Sequence, residues 1–268
     1  MRMNEIKVTS WEAFEAETTS IFESARMKKE ETKRHVSVPL FRGQGNATWK
    51  LSTTLERYTN KPFEGRTYYR TMLRVVNAVE SFTAKAWSLS HEYKDSEEGL
   101  QAPLGYEFMI YLRHHGFPSP LLDWTRSPYV AAFFAFREKP ENSDDSVAVF
   151  SYLEYFGEAK GWSSQDPTVF ALGPNVTTHS RHHTQQCEYT ICTKKFDESS
   201  LYCNHEEAFA QGERNQDILT KYVIPRSERG KFLERLDSMN INAYSLFGNE
   251  EGLMEMSAYR AIEKEIRM

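Results

Sequence analysis

The 268-residue chain holds only three cysteines, an odd count that gives no disulfide scaffold. It has no apolar run near the roughly 18 residues that a membrane helix needs. Its opening, Met1-Arg-Met-Asn-Glu, lacks the apolar stretch of a secretory signal, so a cytoplasmic protein without a membrane partner is expected. An excess of positive charge is missing too. The 33 Lys and Arg stand against 38 Asp and Glu, a formal net charge of −5. That argues against attachment to nucleic acid by bulk charge, and no DNA partner is expected, although such an average does not exclude a local basic groove. There is no Gly-x-x-x-x-Gly-Lys phosphate loop, no Gly-x-Ser-x-Gly elbow, no His-Glu-x-x-His pair and no internal repeat. What is present is globular: 40% hydrophobic, 13% aromatic and 26% charged residues, enough for one large domain or two small ones.

Periodicity supplies the elements. Ser10 caps a predicted helix from Trp11 to Arg34, in which Trp11, Phe14, Thr18, Ile21 and Phe22 recur at three and four residues. Its basic end, Lys28, Lys29, Lys33 and Arg34, offers a face to a polyanion, but a solvated last turn with favourable dipole placement is the preferred reading. Val36 to Gly45 reads as a strand ended by glycines, with Thr48 to Ser52 as a short partner. From Gly65 to about Tyr93 a helix is expected, with Tyr68, Met72, Val75, Val76, Val79, Phe82, Ala86 and Leu89 on its core face. A shorter helix, Gly105 to His115, is stopped by Gly116, Pro118 and Pro120. Pro128 opens another that carries Val130, Ala131, Phe133, Phe134 and Phe136. Strands follow at Val147 to Leu153, Cys187 to Cys192 and Lys221 to Pro225, with a long surface loop from Glu154 to His179. Helices close the chain at Arg229 to Met239 and from about Glu250. Strands and helices mix without regular alternation, which favours an α+β fold.

Three islands carry candidate chemistry. In the first, Arg42, Gly43 and Gln44 end a strand. The glycine lets the backbone approach a ligand, and the guanidinium offers a fork to phosphate or carboxylate; a salt bridge at a tight turn explains the pattern equally well. The second runs from Leu112 to Pro128 and holds His114, His115, Asp123, Trp124, Thr125 and Ser127. Adjacent histidines on a helix diverge, so only one enters a site. A His–Asp pair suits acid–base work, or Asp123 caps the next helix in competition with Ser127. In the third, strand alternation puts Gln186 and Glu188 on one face and Cys187 and Tyr189 on the other. A carboxylate at position 188 is costly unless it is paired, working, or on an edge strand facing water. His179, His182, His183, Cys187, Cys192, Cys203 and His205 lie close in sequence but lack Cys-x-x-Cys knuckles, so no metal site is expected.

Together the islands resemble the FRG domain. The matching residues are Phe41-Arg-Gly-Gln, Trp49-x-Leu with Leu55 and Arg57, His114-His-Gly-Phe-Pro, Leu121-Leu-Asp-Trp-Thr, Ser127-Pro, Ala131, Phe134-Ala, Arg181 with Gln185-Gln186, and Asn240-Ile-Asn to Phe247 with Gly252. Thr53 stands where a proline is usual, and Pro120 where a basic residue is common. The resemblance frames residues 36–252 as one domain, between an N-terminal helical segment, 1–35, and a C-terminal helix, 253–268. A second resemblance, to ADP-ribosyltransferases, lies in the order Arg42, then Thr125-Arg-Ser127 after Trp124, then Gln186-Cys-Glu188.

That second resemblance implies a single domain with a central split mixed/antiparallel sheet and surrounding helices, and NAD as co-substrate. Loss of nicotinamide passes through an oxocarbenium-like ribosyl cation, as in glycoside cleavage. Glu188 would stabilise that cation, Gln186 would orient the nucleophile, and Arg42 would clamp the diphosphate. Thr125 and Ser127 would brace the acid and ribose, with Gly43, Gln44, Trp124, His114, His115 and Asp123 lining the cleft. The acceptor would be RNA or protein, with Trp162, Tyr155 and Phe156 available to stack a base. The family resemblance further implies the toxin of an antiviral or toxin–antitoxin system, with an antitoxin as partner. The alternatives are a non-catalytic module that binds a nucleotide or partner, and a metal-dependent hydrolase.

Overall fold

The computed structural model describes residues 3–90, 92–93, 102–139, 145–161, 163–178, 180–197, 199–211 and 215–267. In chain order the elements are β1 (Asn4–Lys7), α1 (Trp11–Thr32), β2 (Leu40–Gln44), α2 (Thr54–Thr59), β3 (Phe63–Glu64), α3 (Gly65–Thr83) and α4 (Tyr106–His114). Then come β4 (Leu121–Thr125), α5 (Pro128–Phe136), β5 (Ser146–Tyr155), β6 (Thr168–Ala171), α6 (Ser180–Thr184), β7 (Cys187–Phe196) and β8 (Ser199–Tyr202). The chain ends with α7 (His205–Gln211), β9 (Gln216–Pro225), α8 (Arg229–Ser238), α9 (Ala243–Phe247) and α10 (Glu250–Ala258).

Among the described residues one nine-stranded sheet runs in the order β1-β9-β5-β2-β4-β7-β8-β3, with β6 also on β7. The β1–β9 pair is parallel and the rest are antiparallel. The fold is therefore mixed, with helices packed on a sheet that is antiparallel for most of its width. The sheet parts in its middle. β2 pairs with β5 over five residues, Leu40 to Gln44, and β4 with β7 over five, Leu121 to Thr125, yet β2 meets β4 only at Phe41 and Thr125.

Three apolar clusters hold the layers. One joins Trp11 and Phe14 of α1 to Phe41, to the small and aromatic face of α5 and to Phe232 of α8. A second packs α3 and α4 against Leu121, Tyr189 and Ile191. A third, on the far face, holds Leu122, Trp124, Phe150, Tyr152, Cys192 and Cys203. Local chemistry starts the helices as the sequence suggests: Ser10 Oγ accepts from Ala13 N at 3.2 Å, and Ser127 Oγ accepts from Val130 N at 3.3 Å, with Pro128 in the first turn of α5.

Four expectations need correction. Thr48 to Ser52 forms no strand; it leads into the capping box of α2, where Thr53 and Glu56 bond reciprocally. Helix α3 stops at Thr83, where Ala84 takes a left-handed φ of 53°, and Phe82 is 92% exposed instead of buried. The stretch from Glu154 to His179 is not all loop, because it completes β5 and contains β6, whose Phe170 pairs with Ile191. The strands β1 and β8 and the helices α6 and α7 were not anticipated.

Candidate functional site

Where β2 and β4 separate, a cavity of about 710 Å³ opens, within the roughly 300–1,000 Å³ usual for small-molecule sites. Arg42, Gly43, Gln44, His114, Asp123, Trp124 and Thr125 all line it, so the first two sequence islands meet here. Arg57, Arg113 and Arg181 line it as well.

The electrostatics are one-sided. Arg42 Nη1 donates to the main-chain oxygen of Asp123 at 2.7 Å and lies 4.0 Å from its carboxylate, which Arg113 Nη2 approaches to 2.5 Å. Arg57 Nη1 donates to Ser52 O at 2.7 Å. The Nε atoms of Arg42 and Arg113 are buried without a hydrogen-bond partner among the described residues. Burial pushes the Arg42 guanidinium down to about 10; Arg113 and Arg57 add to that lowering and Asp123 opposes it. Arg57 is lowered for the same reasons, burial first and then Arg113. Desolvated cations that share one carboxylate make a site for an added anion.

A second feature is a chain of hydrogen bonds leading inward from His114. Its Nε2 lies 2.7 Å from Tyr189 Oη, which is 3.3 Å from His182 Nδ1, and His182 Nε2 lies 2.9 Å from Pro174 O. The carbonyl requires His182 Nε2 to donate, so Nδ1 accepts from Tyr189, whose oxygen in turn accepts from His114 Nε2. His115 turns away: it is exposed, outside the cleft lining, with its ring 4.3 Å from that of Tyr111. One of the two histidines enters, as their adjacency requires.

Several roles expected from the sequence are taken up elsewhere. Thr125 lines the cleft, but its hydroxyl donates to Gln185 O at 2.7 Å and accepts from Ser127 N at 3.1 Å. Ser127 caps α5 and is not in the lining, which settles the capping question against Asp123. Gly43 brings its backbone close to a helix: a Cβ there would sit 1.9 Å from Ala131 O and 2.7 Å from Ala135 N. Gln186 is exposed at a left-handed φ of 49°, just before β7 begins, so strand alternation does not reach it. Its neighbour Gln185 lines the cleft instead, and its Nε2 donates to Leu246 O at 3.1 Å.

Glu188 lies on a central strand, not an edge, and its carboxylate is buried. It pairs with the half-exposed Arg126 and is not part of the cleft lining. Its place in the sheet is nonetheless close. Phe41, Thr125 and Cys187 stand in register across β2, β4 and β7. One residue along, Trp124 pairs with Glu188 across β4 and β7 on the opposite face, and Arg42 follows Phe41 on β2 where the strands separate. Trp124 is fixed there by Nε1 donating to Thr190 Oγ1 at 2.8 Å, which is 3.0 Å from His205 Nε2.

The described residues hold no group of three or more His, Cys, Asp or Glu that could bind a metal. Of the suggested ligands, His179 lies outside the described residues, and Cys187, Cys192 and Cys203 are buried. Burial raises the Cys187 thiol to about 12, which removes it as a nucleophile. Tyr155 and Phe156 do not line the cleft; they meet His35 and Lys28 instead, and Trp162 lies outside the described residues. Arg57, Arg113 and Arg181 were not foreseen as site residues. Their signal was present, since Arg113 precedes the two histidines and Arg57 and Arg181 belong to the matched pattern.

Residues 37–144 match the FRG domain family. No curated protein and no solved structure matches the chain. Among the described residues, no helix is long and apolar enough to cross a membrane.

Proposed function

Starting from a chain that carries an FRG domain, we propose an NAD-dependent ADP-ribosyltransferase that transfers to an RNA or protein acceptor. The observation that carries this reading is the placement of Arg42 on β2 and of the paired Trp124 and Glu188 on β4 and β7, at the place where the sheet parts and a cationic cavity opens. The residues fit the substrate. Arg42 and Arg113, with buried Nε donors left over, suit a diphosphate. Trp124 is a buried anchor for the cavity wall, its ring held by Thr190, and the hydrogen-bond chain behind His114 fixes which of its nitrogens carries the proton. Glu188 supplies the negative charge that a ribosyl cation needs once its ion pair with Arg126 opens. Arg126 is held from the solvent side, with 41% of its side chain exposed, so this opening exposes no core. The toxin role and an antitoxin partner follow from the family resemblance.

Release of free nicotinamide from NAD tests the reading. Wild type should release it, Glu188→Ala and Arg42→Ala should not, and Arg126→Ala should retain or raise the rate. Equal release by wild type and Glu188→Ala, or none from wild type, defeats it. One observation favours a second reading, a module that binds a nucleotide or partner without turnover: the carboxylate of Glu188 is closed on Arg126 and outside the lining. That reading expects NAD or pyrophosphate to bind wild type and Glu188→Gln equally well, and not Arg42→Ala.

A further inference from the structure

The mouth of the cleft holds more positive charge and more bare aromatic surface than a dinucleotide uses. We infer that the rim formed by Trp49, Lys50 and Arg57 docks single-stranded nucleic acid as the acceptor. The word acceptor rests on the transferase reading above; the surface itself does not.

Three observations support it. First, the charge is local. The chain as a whole is acidic, at −5, yet Lys50 and Arg181 join the three arginines around Asp123 in the cleft lining, against one further acid, Glu138. The diphosphate of NAD, offset by its cationic nicotinamide, leaves most of that surplus unanswered. Lys50 is exposed and forms no ion pair among the described residues. Second, the aromatic here faces solvent: Trp49, next to Lys50, is 56% exposed at the lining. Third, the segment that presents them is held rigidly. Leu51 and Leu55 are buried, Leu51 N donates to Glu206 Oε1 at 2.8 Å, and the Thr53–Glu56 capping box fixes the start of α2. An exposed ring and cations on a fixed support match an unpaired strand, whose bases stack while its phosphates meet the cations. An acidic protein segment would answer the charge and leave the ring unused.

The test is fluorescence anisotropy of the full chain with labelled single-stranded RNA and DNA of about 12 nucleotides, across a salt series. The Trp49→Ala variant should weaken binding by about 5- to 150-fold, the range for one stacked base, with an unchanged thermal midpoint. Arg57→Gln should lower the salt slope by about 0.7, the loss of one phosphate contact. No binding at low salt, or equal affinities in wild type and Trp49→Ala, overturns the inference. So does displacement of the oligonucleotide by polyglutamate to the same extent in wild type and Trp49→Ala, which would assign the rim to a protein acceptor. Nicotinamide release from the same samples without oligonucleotide separates the two claims. Release without oligonucleotide binding removes the docking surface alone, whereas oligonucleotide binding without release supports the surface and removes the transferase.

Discussion

At the parting of β2 and β4, three guanidinium groups crowd around Asp123, and two of their Nε atoms go unanswered. Beside the same sheet, after β5, Lys160 is enclosed more deeply still, with 3% of its side chain exposed against 15% for Arg42, but here every donor is used. Its Nζ reaches Glu154 at 3.2 Å, Asp217 at 2.7 Å and the carbonyl of Val169, with the Phe170 ring alongside. Asp217 also accepts from Tyr152 Oη at 2.6 Å, and Glu154 from Ala171 N at 3.2 Å. The saturated cluster ties the segment after β5 to β6 and β9 and is framework. The unsaturated one has its shortage at a cavity wall, where a ligand can make it good.

Substitutions should separate the two. The largest effect is expected from Lys160→Met, which leaves two buried carboxylates uncompensated. Urea unfolding should show a loss of about 3–5 kcal/mol, while the folded fraction keeps its affinity for pyrophosphate. Arg42→Ala should do the reverse. Nicotinamide release should fall by about 10²–10³-fold, with an unfolding midpoint near that of wild type, because the native state gives up a buried cation short of partners. The third effect is a pH dependence. Burial, aided by the positive charge of Arg42, pushes His205 down to about 3. The unfolded chain takes up this proton near 6.5 and the folded chain only near 3, so stability is lost as pH falls between those values. The loss is about 1.4 kcal/mol for each pH unit, read from urea midpoints. His205→Gln should flatten it, and Arg42→Ala should shift its lower limit upward.

Much of this was legible in the sequence where one local rule dominated. The Ser10 cap with its apolar spacing gave α1, Pro128 after Ser127 gave α5, and the unbroken apolar run gave β5. Elements that depend on a distant partner were not legible. β1 is polar and short, and exists through parallel pairing with Thr220 to Val223. β6 is a strand because β7 offers it an edge. The end of α3 carries no sequence punctuation, since alanine is the best helix former and gives no warning of a left-handed cap. At the site, Arg42, Asp123, Trp124 and His114 were readable as a set because they cluster in two islands. Gln186 was misread for Gln185 because the period of two was applied one residue before the strand starts. Arg113 does not stand out in sequence, because a basic residue in a last helical turn is favoured by the dipole whatever else it does.

The missing side chain at position 43 has a mechanical consequence. The distance between the central strand and the helix behind it is set by the absence of one carbon atom, and main chain on the other side has nowhere to retreat. Alanine there would act as a shim, displacing the helix together with the capped turn at its start. The binding groove would then lose its dimensions without losing a single charge, a defect that adding salt or changing pH could not repair.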